Sequence, residues 1–262
     1  MQYYTRVIKR LLAMNMKMAL MYRANFFLNV LDSIVWFAIT LLFFHTIFGQ
    51  VTTIKGWDFN KLMLLIGTAE LVKSMLFVLF IENLAGLPRM VNSGDIDGIL
   101  LKPINSQFYV SLRRFDFGNF GNILPALFLI GYSCYQIGTP FLSFNTLVYV
   151  FLVLCSILLA YAIWFSVMTL SIWLQQIDGM HEFFLSAMTL MRFPQSIYKG
   201  IGRLLFVFLI PIVTITNVPV SILLNGVNIN HLILFIVSTI FYVLFSIFFW
   251  KYSLRWYSSA SS

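Results

Sequence analysis

TLVYVFLVLCSILLAYAIWFSVMTLSIWL, residues 146–174, decides the fold, because it carries no charge over a length that a bilayer requires. A helix needs roughly 20 apolar residues to cross about 30 Å of hydrocarbon. Working outward, residues 24–48, 62–81, 117–137, 204–224 and 232–250 are also nearly charge-free. Together these six runs take up more than half of the 262 residues. They are continuous rather than alternating, which selects helices over a barrel. In lipid the backbone must satisfy its own hydrogen bonds, and a helix does so within each segment. The expected fold is an all-α polytopic membrane protein with six transmembrane helices.

Composition agrees. Hydrophobic residues make up 60% of the chain and charged residues 10%, against about 25% charged in soluble domains. The net charge of +8 reads as topology signals beside anionic lipid rather than as a nucleic-acid footprint, so lipid is an expected partner and nucleic acid is not. Cys134 and Cys155 fall inside apolar runs, with no disulfide or metal-ligand spacing. Residues 1–23 lack the charge-free core of a signal peptide, since Arg6, Lys9, Arg10, Lys17 and Arg23 interrupt them.

Residues 1–23 instead form an amphipathic lead-in ahead of one membrane domain, 24–262. Over 3–21, Tyr4, Val7, Ile8, Leu11, Leu12, Met14 and Met18 share one side, and Arg6, Lys9, Arg10, Ala13 and Lys17 the other. That pattern suits a helix lying in the cytoplasmic interface. Basic residues before the first run and Lys251 and Arg255 after the last place both termini inside. The loop between the second and third runs, with Arg89, Lys102, Arg113 and Arg114, is cytoplasmic by the same rule. Two readings stand for the fifth crossing. Either it is 206–224, with 180–203 at the inner interface, or it is about 178–196, with the Pro-broken segment 198–224 re-entrant from the outer face.

Three ionisable residues sit within the apolar runs: Asp32, Glu70 and Lys73. Such groups usually face a bundle interior or a wet cavity. They line a substrate pathway, or they are structural: Glu70 and Lys73, three apart on one helix face, neutralise each other, and Asp32 finds an inner-face base or a backbone N–H. His45 and His231 read as interfacial. No GxxxxGK[ST] loop, HExxH, CxxC or GxSxG occurs, so the chain has no phosphate cradle or nucleophile elbow of those kinds. The coupling loop, 84–105, is the most structured polar segment. Pro88 opens a short helix and Gly94 closes it, an acidic turn with Asp95 and Asp97 follows, and Lys102–Pro103 stops the apolar triplet 99–101. A short helix with a rigid turn is suited to docking another protein.

The elements YRANFFLN (22–29), GW (56–57), NLAGLPRMVNSGDIDGILLKPINSQF (83–108), RRFDFGNFGN (113–122), RFPQSIY (192–198), IPIVTITNVP (210–219) and WYSSAS (256–261) occur in this order. In them the chain resembles the permease subunits of ABC-2-type transporters, in particular the bacterial family whose ATPase is a separate chain. The resemblance implies a multi-pass protein of the bacterial cell membrane, six crossings, an interfacial helix before the first, and a re-entrant hairpin at 198–224. It implies an exporter subunit that is not itself an enzyme. Its partners would be ABC ATPase subunits and a second permease chain, identical or homologous, with ATP and Mg bound by the ATPase and no cofactor here. Pro88, Arg89, Asp95, Asp97 and Lys102 are then the expected ATPase-coupling residues, and Asp32, Glu70 and Lys73 the pathway candidates. A secondary transporter driven by an ion gradient is the alternative, and would need ion ligands at broken helices. A membrane-embedded lipid enzyme would need a catalytic cluster at one interface, and none is present in the sequence.

Overall fold

A computed structural model describes residues 2–21, 23–174 and 178–258; Tyr22 and the tail from Ser259 onward, both in elements quoted above, lie outside the described residues. Among the described residues the regular structure is helical, and the protein is an all-α polytopic membrane protein. Among the described residues five stretches are long and apolar enough to cross a membrane: Val30–Phe48, Phe59–Ser93, Phe117–Ile137, Phe144–Ile172 and Ile229–Ser253. The sixth expected crossing is not a continuous helix, for reasons given below.

Helix α1 (Gln2–Met21) leads into α2 (Arg23–Phe48). Helix α3 (Phe59–Leu76) is the hub of the core. It starts on Asp58, whose carboxylate accepts the Lys61 N–H at 2.9 Å and pairs with the Lys61 ammonium at 3.0 Å. Residues 62–70 of α3 are all buried. Gly67 allows a close approach: a Cβ there would lie 3.0 Å from Ile130 Cγ1 and 3.3 Å from the Ala126 carbonyl.

Below α3 the helix widens into a π turn, Phe77–Ile81, and runs on through Glu82–Ala85. A π turn leaves carbonyls out of the i→i−4 ladder. Here the Val78 carbonyl accepts the Asp116 N–H at 3.0 Å. Asn83, fully buried, donates to the Arg114 carbonyl at 2.7 Å and accepts the Arg114 N–H at 3.1 Å. The RRFD loop is thereby clamped to the lower end of the hub. Helices α4 (Leu87–Ser93), α5 (Asp97–Leu100) and α6 (Ser106–Leu112) form the coupling loop and its exit. A 3-10 turn, Phe117–Asn122, leads into α7 (Ile123–Ile137), which packs along α3. Helix α8 (Phe144–Thr169) is capped by Ser143 and returns.

Helix α9 (Asp178–Met188) runs against the lower half of α8, where Trp164 stacks on His181 and Phe184. It tightens into a 3-10 turn, Thr189–Arg192, and stops before Pro194. Proline removes a donor and blocks the preceding turn, so the segment is too short and broken for one long helix. Side chains of α10 (Thr214–Asn225) satisfy the freed backbone. Thr216 donates to the Met191 carbonyl at 2.6 Å and Asn217 to the Phe193 carbonyl at 3.1 Å, while Asn217 Oδ1 accepts the Gln195 N–H at 2.9 Å.

Between them, Gly200–Arg203 and a π stretch, Leu204–Leu209, reach the middle of α11 (Ile229–Ser253), where the Tyr242 hydroxyl donates to the Leu209 carbonyl. Ile215, just past the turn, accepts from Ser156 midway along α8 at 2.5 Å. The hairpin returns to Gly226, next to Asn145 at the start of α8. Its tip is thus level with the helix midpoints.

Both described chain ends meet the coupling loop. The Asn105 N–H donates to the Tyr4 hydroxyl at 3.4 Å, and the Trp250 indole donates to Ser106 at 3.0 Å.

Candidate functional site

The coupling loop is rigid for reasons that can be read residue by residue. Pro88 lies in the first turn of α4, where its missing N–H costs nothing. Gly94 ends the helix at φ 77°, a left-handed conformation that glycine adopts without penalty. Leu87, Met90 and Val91 turn into the core, and Arg89, Asn92 and Ser93 face out. The Ser93 hydroxyl donates to Asp95 Oδ2 at 2.7 Å, which fixes the acidic turn. Ile96 and Ile99 anchor that turn from beneath, while Leu101 is 87% exposed. Burial, then the neighbouring Asp97 and Asp95, push the Tyr257 hydroxyl above its usual pKa, so the tail lies against the same turn. The Lys102 ammonium sits 2.9 Å from the Tyr109 hydroxyl. All five predicted coupling residues are on this one loop, four of them on α4 and the acidic turn and Lys102 just beyond α5. It offers charges and an exposed leucine on a fixed frame, with no group placed for bond-making.

The ionisable residues within the apolar runs are arranged differently from the sequence expectation. Glu70, on the buried face of α3, pairs with Arg192 at 2.6 Å, with side-chain exposures of 6% and 22%. Lys73 is not its contact partner; the ammonium lies 5.5 Å from the Phe77 ring centre. Spacing of three on a helix brings two side chains to one face, but the break at 189–194 delivers the Arg192 guanidinium to the same carboxylate as an ion pair, although Glu70 Oε1 makes no aligned hydrogen bond among the described residues. Lys73 stays within Coulombic reach of both members of the pair. The signal for Arg192 was its place in RFPQSIY, a charge beside a proline at the end of an apolar run.

Asp32 is brought to neither. Its side chain is exposed, on a face of α2 where Leu28 and Trp36, one turn to either side, are 61% and 63% exposed. Sequence reasoning also missed Asn83, Asn217 and Thr216, which hold the loop and the hairpin. Each is a polar residue in or beside an apolar run, which is the signal that could have found them. Among the described residues no group of three or more His, Cys, Asp or Glu is placed to hold a metal ion.

The family model described as ABC-2 family transporter protein matches residues 34–261. No curated protein and no solved structure matches the chain.

Proposed function

Since this chain belongs to the ABC-2 family of transporter proteins and is an ABC-type transport permease, we propose that it forms the membrane half of an exporter whose motor is a separate ABC ATPase. The knob of α4 and the 95–98 turn carries this reading. It is built on the end of α3, the most buried helix, so a push on Arg89 or Asp95 moves the hub directly. Rigid-body tilting of packed helices is how such a push becomes a change of access. ATP biases that equilibrium only by favouring the closed state of its own subunit.

Charge supports the orientation. The knob end carries Arg6, Lys9, Arg10 and Lys17 from α1, Arg113 and Arg114 from the loop, and Lys251 and Arg255 from the last helix. That excess, against Lys55, Lys61, Lys199 and Arg203 on the other side, marks the cytoplasmic side, with the described parts of both ends inside. Six crossings then follow if 178–197 spans as a broken helix and 200–225 enters from outside and returns. The stapling of 191–195 by Thr216 and Asn217 supports this, because broken backbone at membrane depth requires protein partners.

Asp32 argues for a second permease chain. A carboxylate on a lipid-facing helix is expensive, and covering the Leu28–Asp32–Trp36 face with another copy or a sister chain removes that cost. Glu70 and Lys73, in the second half of α3, and Arg192, brought to Glu70 by the 189–192 turn, line or brace the pathway beside it.

The test is purification in mild detergent. The intact chain is expected to bring an ATP-hydrolysing subunit with it, and Asp95→Lys with Asp97→Lys to release that subunit while the permease stays folded in the membrane. Retention by the double variant would overturn the knob's role. Cargo movement by the chain alone in ATP-free vesicles would overturn the motor's.

A further inference from the structure

A crevice of about 640 Å³ lies between α1 and the RRFD loop, at the knob end of the bundle. One wall is apolar: Leu11, Met14, Met18 and Phe117. The other is charged. Arg113, Arg114, Glu82 and Asp116 line it, with Tyr109 between. The charges are not matched against each other. Asp116 is committed to its own turn, accepting from the Gly118 N–H at 2.9 Å and from Asn119 at 2.6 Å. Glu82 is exposed. Neither arginine makes an ion pair among the described residues.

Arg113 is the unusual member. Its Nε–H is buried with no hydrogen-bond partner among the described residues. Buried donors are almost always partnered, and an orphan points to a missing ion, water or ligand. Burial and then the adjoining Arg114 pull the Arg113 guanidinium below its ordinary pKa, and the field of Asp95, which makes no ion pair with it, offsets only part of that. The loop cannot relax away from this arrangement. Its backbone is held by Asn83 at Arg114 and by Asn15 of α1, which donates to the Arg113 carbonyl at 3.2 Å.

A guanidinium pair beside an apolar strip has a matching shape in chemistry: a phosphate attached to hydrocarbon. Phosphate oxygens accept from the arginine fork with charge-assisted bonds. A free phosphate would use the arginines but leave Leu11, Met14 and Met18 wet. We propose that this crevice is a binding site for one anionic phospholipid of the inner leaflet, its phosphate held by Arg113 and Arg114 and its first acyl carbons laid along Leu11, Met14 and Met18. A zwitterionic choline headgroup fits less well, because it brings a second cation to the arginines. The lipid then staples α1 to the loop that is clamped on α3. This inference does not rest on the transport reading; it rests on a chain embedded in a bilayer with the knob end on the inner side, as proposed above.

The experiment uses the full chain extracted from vesicles of equal phosphatidylglycerol and phosphatidylcholine, with retained lipid counted by native mass spectrometry. Phosphatidylglycerol is expected over phosphatidylcholine by roughly tenfold, the scale of one charge-assisted contact. Arg113→Gln is expected to bring the ratio to about one, and Arg113→Lys to keep most of it, since the charge survives. Ala19→Trp fills the crevice while leaving both arginines in place, and is expected to abolish the preference even if Arg113→Gln fails to fold. Lys61→Gln, at the opposite end, should leave the ratio unchanged. Equal retention of the two lipids by the unaltered chain would overturn the proposal, as would a preference that survives Ala19→Trp. Displacement of the lipid by millimolar glycerol 3-phosphate or inorganic phosphate would show a soluble phosphate site instead, and would also overturn it.

Discussion

Arg192→Met isolates the long-range contact that ties the broken segment to the hub. The pair it breaks is 2.6 Å long and its carboxylate side chain only 6% exposed. Removing one partner of a buried pair costs about 3–5 kcal/mol, because the remaining charge has lost its counter-ion in low dielectric. Here the remaining charge is Glu70, and Lys73 is already within its field. A rotamer change lets the ammonium take over, so Arg192→Met alone should cost only about 1–2 kcal/mol. Adding Lys73→Met removes the reserve, and the pair of changes should reach the full penalty of about 3–5 kcal/mol. Glu70→Met with Arg192→Met should cost less than that, since no carboxylate is left buried and alone and only the half-buried Lys73 ammonium loses a counter-charge. Residues sharing one network are expected to be non-additive in this way. The assay is thermal and denaturant unfolding in detergent, followed by tryptophan fluorescence. The reasoning fails if Arg192→Met/Lys73→Met is no less stable than Arg192→Met. It fails equally if Glu70→Met/Arg192→Met is as unstable as that triad-breaking variant.

Three further outcomes are expected. Asp58→Ala should cost about 1 kcal/mol in the same unfolding assay, through loss of the α3 cap. Burial raises the Asp58 pKa, but hydrogen bonds from Lys61 outweigh it and leave the carboxyl below its usual 3.8. The capping stability is therefore present above that value and lost as pH falls through the lowered one, and Asp58→Ala should remove this acid dependence. Gly67→Val should destabilise by about 1–3 kcal/mol, since the new carbons meet the α7 backbone, which cannot yield as a side chain can; an unchanged melting temperature contradicts the packing. Asn83→Leu leaves the part-buried Arg114 N–H and carbonyl without their side-chain partner, at about 1–3 kcal/mol in all. Hydrogen exchange should rise at residues 113–116 first, and uniform exchange across the chain would speak against a local clamp.

The helices were legible because hydropathy alone dictates them: a run such as 146–174 has no other stable form in lipid. The short helix α4 was legible too, since Pro88 and Gly94 each mark an end by backbone geometry rather than by context. What the sequence hid depends on contacts far apart in the chain. Glu70 has a plausible partner three residues away, and only the fold reveals that Arg192 reaches it first. The π turn at 77–81 carries no residue signature. Its function is visible only once the Asp116 N–H is seen on the Val78 carbonyl. The fifth crossing stayed ambiguous because prolines at 194, 211 and 219 break apolar runs without saying which piece returns. Thr216 and Asn217 resolve the local geometry by bonding to residues 191–195. Asp32 remains where the sequence left it, a carboxylate on an apolar face.

The central claim is that a separate ATPase grips this permease through the α4 knob from the cytoplasm. It is tested most directly by Asp95→Cys in intact cells, with the native thiols of Cys134 and Cys155 both buried. A bifunctional cross-linker should join that position to a chain that also photolabels with an azido-ATP analogue, and a membrane-impermeant maleimide added outside should leave it unlabelled. Labelling from outside, or a knob that cross-links to no ATP-binding chain, contradicts the account.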